Sequence, residues 1–228
     1  MSAINISKLT KTYLKDNNKI NIIKNLSISF DSKKVYAIRG ESGVGKTTFL
    51  LCISLLCEID SGIITINGEN IINLSDEELS FIRNKEIGII FQNYHLLPYL
   101  TAIENIMVPL LINNNEEIMK KKALCKKSLK YVGLSHRENH YPSELSGGEQ
   151  QRIAIARALI NNPNIILADE PTGNLDKDNK IKVLNLFRKI ADDGKCVIIV
   201  THDNDILKYV DEVYNLKEGK LVKDENKR

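Results

Sequence analysis

The stretch GESGVGKTT, Gly40 to Thr48, restricts the fold more than any other part of the chain. It follows an apolar run, KKVYAIRG at Lys33 to Gly40. It precedes TTFLLCISLLCEID at Thr47 to Asp60, which is apolar nearly all round. A turn of the form G-x-x-x-x-G-K-[ST] between a strand and a helix wraps backbone amides round a phosphate. Here Gly40, Gly43 and Gly45 leave the amides uncovered for a β-phosphate, and Lys46 brings a point charge to the β and γ oxygens. Thr47 offers a hydroxyl to Mg²⁺, and Ser42 and Thr48 complete the phosphate-binding loop. The helix that follows, lacking a polar face, is predicted to lie buried between layers.

Further strand-like runs are INIS near the start, LSISF at Leu26 to Phe30 and IITING from Ile63. IGIIFQ from Ile87, NIILADE from Asn164 and CVIIVTH from Cys196 are continuous apolar runs, as expected of parallel strands covered on both faces. The second of these ends in Asp169, placed to hold Mg²⁺ through water, and Glu170, placed to polarise an attacking water as general base. The third ends in His202, read as a contact to a γ-phosphate or to Glu170. His136 and His140 in HRENH have helical spacing, but the stretch before Pro142 is loop-like and offers no third ligand, so no metal site is expected there.

From Asn93 to about Asn161 the pattern is helical, with no convincing strand. In EEIMKKKALCKKSLKYVGL, Ile118, Cys125, Leu129 and Val132 fall on one face, with Lys120, Lys126, Lys127 and Lys130 opposite. Those lysines are read as a solvated helix surface rather than a nucleic-acid or lipid site. NNNEE at Asn113 to Glu117 reads as a loop, and LKEGKLV at Leu216 to Val222 as a hairpin. The 228 residues suffice for one substantial core, and a net charge of +3 is too mild to argue for nucleic acid or lipid. The four cysteines form no CxxC pair and are read as reduced thiols. No apolar run approaches the roughly 18 residues of a membrane span, so the chain is expected to be soluble and to act at a membrane only through a partner.

ELSGGEQQRIAIARAL, Glu144 to Leu159, reads as a helix opened by an N-cap serine, Ser146, and by Gly147 and Gly148. Such an opening is a second anion site, because the first amides are unpaired and the dipole is positive there.

Taken together, GESGVGKTT, FQ at Phe91–Gln92, LSGGEQQR at Leu145 to Arg152, ILADEPTGNLD and TH closely resemble the nucleotide-binding subunit of ABC transporters, over nearly the whole chain. The resemblance implies an α/β fold. On this resemblance a P-loop NTPase core with a mostly parallel sheet is expected over residues 1–92 and 162–228, with an N-terminal antiparallel β part and a helical subdomain at 93–161. It implies an active ATPase using ATP and Mg²⁺, with Glu170, His202, Gln92 and Lys46 as catalytic residues and Thr47, Gln92 and Asp169 as metal contacts. It further implies that two copies bind head to tail, so that Ser146, Gly147, Gly148 and Gln150 of one reach the ATP held by the other. Tyr13 matches the aromatic that stacks on adenine; the alternative is a strand aromatic packed on the core. Asp176 matches the loop at the dimer seam. Thr47 stands where serine is common and GNLD where many relatives have SALD, and neither change removes a needed group.

FQNYHLLPYLTAIENIMVPLL, together with PSELSGGEQQRIAIARALINNPNIILADEPTGNLD, looks most like the branch of lipoprotein-releasing, macrolide-exporting and antimicrobial-peptide-exporting systems. Leu96, Leu97, Pro98, Tyr99 and Leu100 are either local core or a docking surface for a membrane partner. The resemblance implies an integral membrane permease with four spans and a large extracytoplasmic domain, a location on the cytoplasmic face of the membrane, and no nucleic-acid partner. The alternative, a soluble ABC-type ATPase of translation or DNA repair, normally carries a long coiled-coil insertion or a second nucleotide domain, and this sequence has neither.

Overall fold

The computed structural model describes residues 2–15, 18–112 and 117–225. Most of the loop read at Asn113 to Glu117 lies outside the described residues.

Two sheets enclose a helix. Strands β1 (Ser2–Lys15) and β2 (Asn18–Asp31) form a long antiparallel hairpin. β4 (Ser61–Ile66) pairs antiparallel with β1, and the short β5 (Glu69–Asn70) extends that sheet. The second sheet has the order β10 (Lys220–Lys223), β9 (Glu212–Lys217), β3 (Val35–Arg39), β8 (Cys196–Val200), β7 (Ile165–Asp169), β6 (Ile87–Ile90). All its neighbours are parallel except the β9–β10 hairpin, which turns through Glu218 and Gly219, both at positive φ.

The alternation of side chains on the central strands builds two cores. Tyr36, Ile38, Ile165, Leu167, Cys196 and Ile198 face the antiparallel sheet across α1 (Lys46–Ile53). Phe49, Leu50, Cys52 and Ile53 of that helix are buried, which explains its apolar circumference. Val35, Ala37, Ile166, Ala168, Val197 and Ile199 face the other way, onto helical residues. Each fully buried Ile or Leu contributes about 1.5–3 kcal/mol of transfer free energy. The helix is shorter than the apolar run to Asp60: it stops at Ile53, and Leu55 turns the chain at φ +60.

The remaining helices are α2 (Asp76–Glu86), α3 (Ala102–Met107), α4 (Ile118–Tyr131), α5 (Gly147–Leu159) and α6 (Lys177–Asp192). On α4, Cys125 and Leu129 are buried as the periodicity requires, and Val132 just beyond it is buried too. Ile118 is not. At the first residue of the helix it projects past the core and is 72% exposed, while the aliphatic stem of Lys121 takes the buried place. Among the described residues no helix is long and apolar enough to cross a membrane. The four cysteines are free thiols.

Candidate nucleotide site

The carboxyl ends of β3, β7 and β8 converge on one cavity of about 390 Å³. It is lined by Ser42, Gly43 and the run from Gly45 to Thr48 of the P-loop, together with Gln92, Asp169, Glu170 and His202. The P-loop owes its path to two glycines. Gly43 has φ +79, and Gly45 has φ +108 with no room for a side chain: an added Cβ would lie 2.3 Å from Ile22 Cγ2. Gly45 is also the N-cap of α1, and no side chain caps that helix. Its first amides therefore remain free donors for an anion. Lys46 is buried, and its Nζ donates to the carbonyls of Gly40 and Glu41, each at 2.9 Å, which folds the ammonium over the loop.

Thr47 Oγ1 donates to Asp169 Oδ2 at 3.1 Å, so the P-loop and the end of β7 share one point. Burial raises the Asp169 carboxyl above its ordinary value, opposed by the Thr47 hydrogen bond and Lys46 and aided by Glu170. Glu170 stands at φ +44, a left-handed conformation costing a non-glycine residue about 1–2 kcal/mol. Its carboxylate is fully oriented. Oε1 faces His202 Nδ1 at 2.7 Å and accepts from the His202 amide at 3.1 Å, and Oε2 accepts from Thr201 Oγ1 at 2.9 Å. The Glu170 side chain is only 13% exposed, whereas that of His202 is 73% exposed and open to a ligand. A Cβ on Gly173 would sit 3.6 Å from Gln92 Nε2, which places the Gln92 amide beside the turn that follows Glu170.

Tyr13 is 42% exposed on β1, not packed into the core, with its hydroxyl 3.7 Å from Cys57 Sγ. Ser146, Gly147, Gly148 and Gln150 do not line the cavity. Ser146 caps α5, accepting from Glu149 N at 3.3 Å, while Glu149 Oε2 accepts from Ser146 N at 2.9 Å, a reciprocal capping box. Ser146 and Gly147 are exposed; Gly148 is buried against Asn179 of α6. Gln150 turns inward, its Nε2 donating to the carbonyls of Pro142 and Leu145, each at 3.0 Å, so it braces the loop before α5. Asp176 caps α6 by accepting from Asn179 N at 2.9 Å, and Asn179 in turn packs on Gly148. His140 Nε2 lies 3.0 Å from Arg137 Nη1, and among the described residues no cluster of three metal-ligating side chains occurs. Of Leu96 to Leu100, Leu96 packs on the core, while Leu97 and Tyr99 are 47% and 90% exposed.

One residue unnoticed in the sequence touches the site's support. Arg157, far along α5, donates from Nη2 to Tyr94 O at 2.7 Å and from Nη1 to His95 O at 2.6 Å. No local pattern marks it, because its partners are distant in sequence.

The ABC transporter family model matches residues 23–173, most of the chain. The chain belongs to the ABC transporter family. The lipoprotein-releasing system ATP-binding protein LolD of Francisella tularensis is 42% identical over 219 residues, 96% of this chain and 95% of that protein. The macrolide export ATP-binding/permease protein MacB of Chlorobium phaeobacteroides is 41% identical over 217 residues, 95% of this chain. The chain spans about a third of the length of the MacB relatives it matches. Among solved structures, a dimeric post-hydrolysis state of the ATP-binding cassette MJ0796 bound to ADP and Pi superposes with a TM-score of 0.89 at 37% identity, over 99% of each chain. The chain is thus an ABC transporter cassette similar to those of LolD and MacB.

Proposed function

We propose that this cassette closes head to tail on a second copy across two ATP molecules and drives a membrane permease from its cytoplasmic face. The observation that carries the reading is the separation of two anion sites on one chain. One is complete in the cavity; the other, at Ser146 and Gly147, is exposed outside it. Two copies facing each other bring the second site of one to the γ-phosphate held by the other. The MJ0796 cassette, dimeric with ADP and Pi bound, supports this arrangement. Moving such a dimer from mostly open to mostly closed takes about 5.5 kcal/mol of differential binding, shared between two nucleotides. The core at 1–92 and 162–228 holds ATP, and the helical subdomain at 93–161 carries the second anion site.

In this reading the Tyr13 ring stacks on adenine, the P-loop amides and Lys46 hold the β- and γ-phosphates, and His202 reaches the γ-phosphate from its exposed ring. Glu170 takes a proton from the attacking water, its carboxylate held in orientation by Thr201 and His202. Asp176 meets the partner subunit at the dimer seam. The donor set of Thr47 hydroxyl, Asp169 carboxylate and Gln92 carboxamide is all oxygen and suits Mg²⁺, and Thr47 and Asp169 already meet at 3.1 Å. When bound, Mg²⁺ neutralises charge on the β and γ oxygens.

Leu97, Pro98 and Tyr99 offer an apolar surface for the permease. The buried Asn105 makes that surface rigid: its Oδ1 accepts from Leu97 N at 2.7 Å, and its Nδ2 donates to the Leu97, Leu100 and Thr101 carbonyls. A lipoprotein-releasing ATP-binding protein and a macrolide export ATP-binding/permease protein among the relatives support a permease partner; the permease of this proposal has four spans and a large extracytoplasmic domain, and its work is lipoprotein release, peptide export or mechanotransmission. Purifying the tagged chain from native membranes in mild detergent tests this. A four-span partner with a large external domain is expected; recovery only with ribosomes or DNA would overturn it.

A further inference from the structure

Gln92 is held in the nucleotide cavity by an unusual loop. Tyr94 N donates to Phe91 O at 3.1 Å, closing a tight turn in which Gln92 is the second residue. Tyr94, the last residue of this turn, and His95, the next, have φ +59 and φ +48. Consecutive left-handed residues without a glycine persist only where the surroundings over-determine them. The carbonyls of these same two residues receive the two Nη groups of Arg157. A planar guanidinium presents its donors as a fixed fork, so it sets the relative direction of both carbonyls at once. Although Arg157 stands near the carboxyl end of α5, it does not answer that helix's own carbonyls, because both partners lie on another segment.

The loop also touches the opposite end of α5. A Cβ on Gly147 would lie 3.3 Å from Tyr94 Oη, so the Tyr94 hydroxyl rests beside the exposed anion site while its carbonyl is gripped by Arg157. The carboxyl-terminal half of α5 is seated on the central sheet, where the Ala158 carbonyl lies so close to Gly88 that any Cβ there would be 2.4 Å away. The helix that offers Ser146 to a partner is therefore fastened along its length to the loop that carries Gln92.

We propose that Arg157 is a positioning residue for hydrolysis, fixing the Tyr94–His95 turn and through it the direction of Gln92. This rests on the reading of Gln92 given above. Arg157 is partly buried, and burial pulls its guanidinium below the ordinary arginine value.

The test uses the full chain and measures kcat, KM, ATP affinity and the Mg²⁺ concentration for half-maximal rate in Arg157→Lys, Gln92→Ala and the double variant. Lysine keeps the charge and loses the fork. Arg157→Lys is expected to lower kcat about tenfold or more, with ATP affinity within about twofold and the Mg²⁺ requirement raised. In the Gln92→Ala background the same change should cost nothing further, because both act through one group. His95→Gly in the Arg157→Lys chain should restore part of kcat, since glycine holds the left-handed turn unaided. Losses that multiply in the double variant, or an unchanged kcat in Arg157→Lys beside a lowered one in Gln92→Ala, would overturn this inference alone. An unchanged kcat in Gln92→Ala would overturn the Gln92 reading and this inference with it. If Arg157→Lys does not fold, Arg157→Gln is put through the same comparisons.

Discussion

The chain opens two helices on glycines, and the two openings are built for different work. α1 begins at Gly45 with no capping side chain and no acid in its first turn, and Lys46 is its first residue. α5 begins at Ser146, whose hydroxyl caps Glu149, and Glu149 places a carboxylate in the first turn. Burial would raise the Glu149 carboxyl, but the Ser146 amide and hydroxyl and Arg137, whose Nε lies 2.8 Å away, hold it down at about 2. The first opening is an unanswered set of donors that can hold a polyphosphate alone. The second is largely answered within its own chain and keeps an exposed serine hydroxyl and glycine amide. A phosphate must be brought to it. In the proposed closure, that asymmetry would make ATP, seated on one chain, a bridge to the other.

Removing the proposed base, Glu170, should have the largest effect. Glu170→Gln keeps the shape of the side chain and should lower ATP hydrolysis on the order of 10²–10⁴-fold, with ATP still bound. Next come the two glycines, which separate the openings. Gly45→Ala combines φ +108 with a Cβ 2.3 Å from Ile22, and should abolish nucleotide binding by the single chain. Gly148→Ala drives a Cβ to 2.3 Å from the Asn179 carboxamide, and should weaken dimer closure while leaving that binding intact. Each overpacking should cost about 1–3 kcal/mol in stability, read by denaturant titration. If Gly148→Ala weakens nucleotide binding as much as Gly45→Ala, the division of labour fails.

A smaller effect is expected at the cap. Ser146→Ala should lower stability by about 1 kcal/mol and reduce ATP-dependent dimerisation. The smallest is the pH dependence of Glu149. Its folded value lies below the ordinary 4.5, so its contribution is present above that value and is lost as pH falls from 4.5 toward 2. The stability gap between the natural chain and Glu149→Gln should therefore narrow across that window.

The nucleotide cavity was legible because its chemistry is local: the P-loop, the acidic end of β7 and His202 each lie within a few residues of an apolar run. The antiparallel sheet was less so. INIS marks only part of β1, because register shifts at Ser2/Ile4, Ile6/Leu9, Leu9/Lys11 and Lys11/Thr12 break its alternation. α2 buries no residue and shows itself only by a capping box, Ser75 with Glu78. Ile118 followed the periodicity of α4 but lies at its first residue, where period no longer guarantees cover. Arg157 was invisible for a different reason. Its role depends on carbonyls of Tyr94 and His95, whose left-handed turn no glycine announces.

The most direct test of the central claim is the mass of the Glu170→Gln chain by sedimentation, at high protein concentration, with and without Mg²⁺-ATP. One chain without nucleotide and two with it is the predicted result. A single chain under conditions where ATP is demonstrably bound would contradict the account.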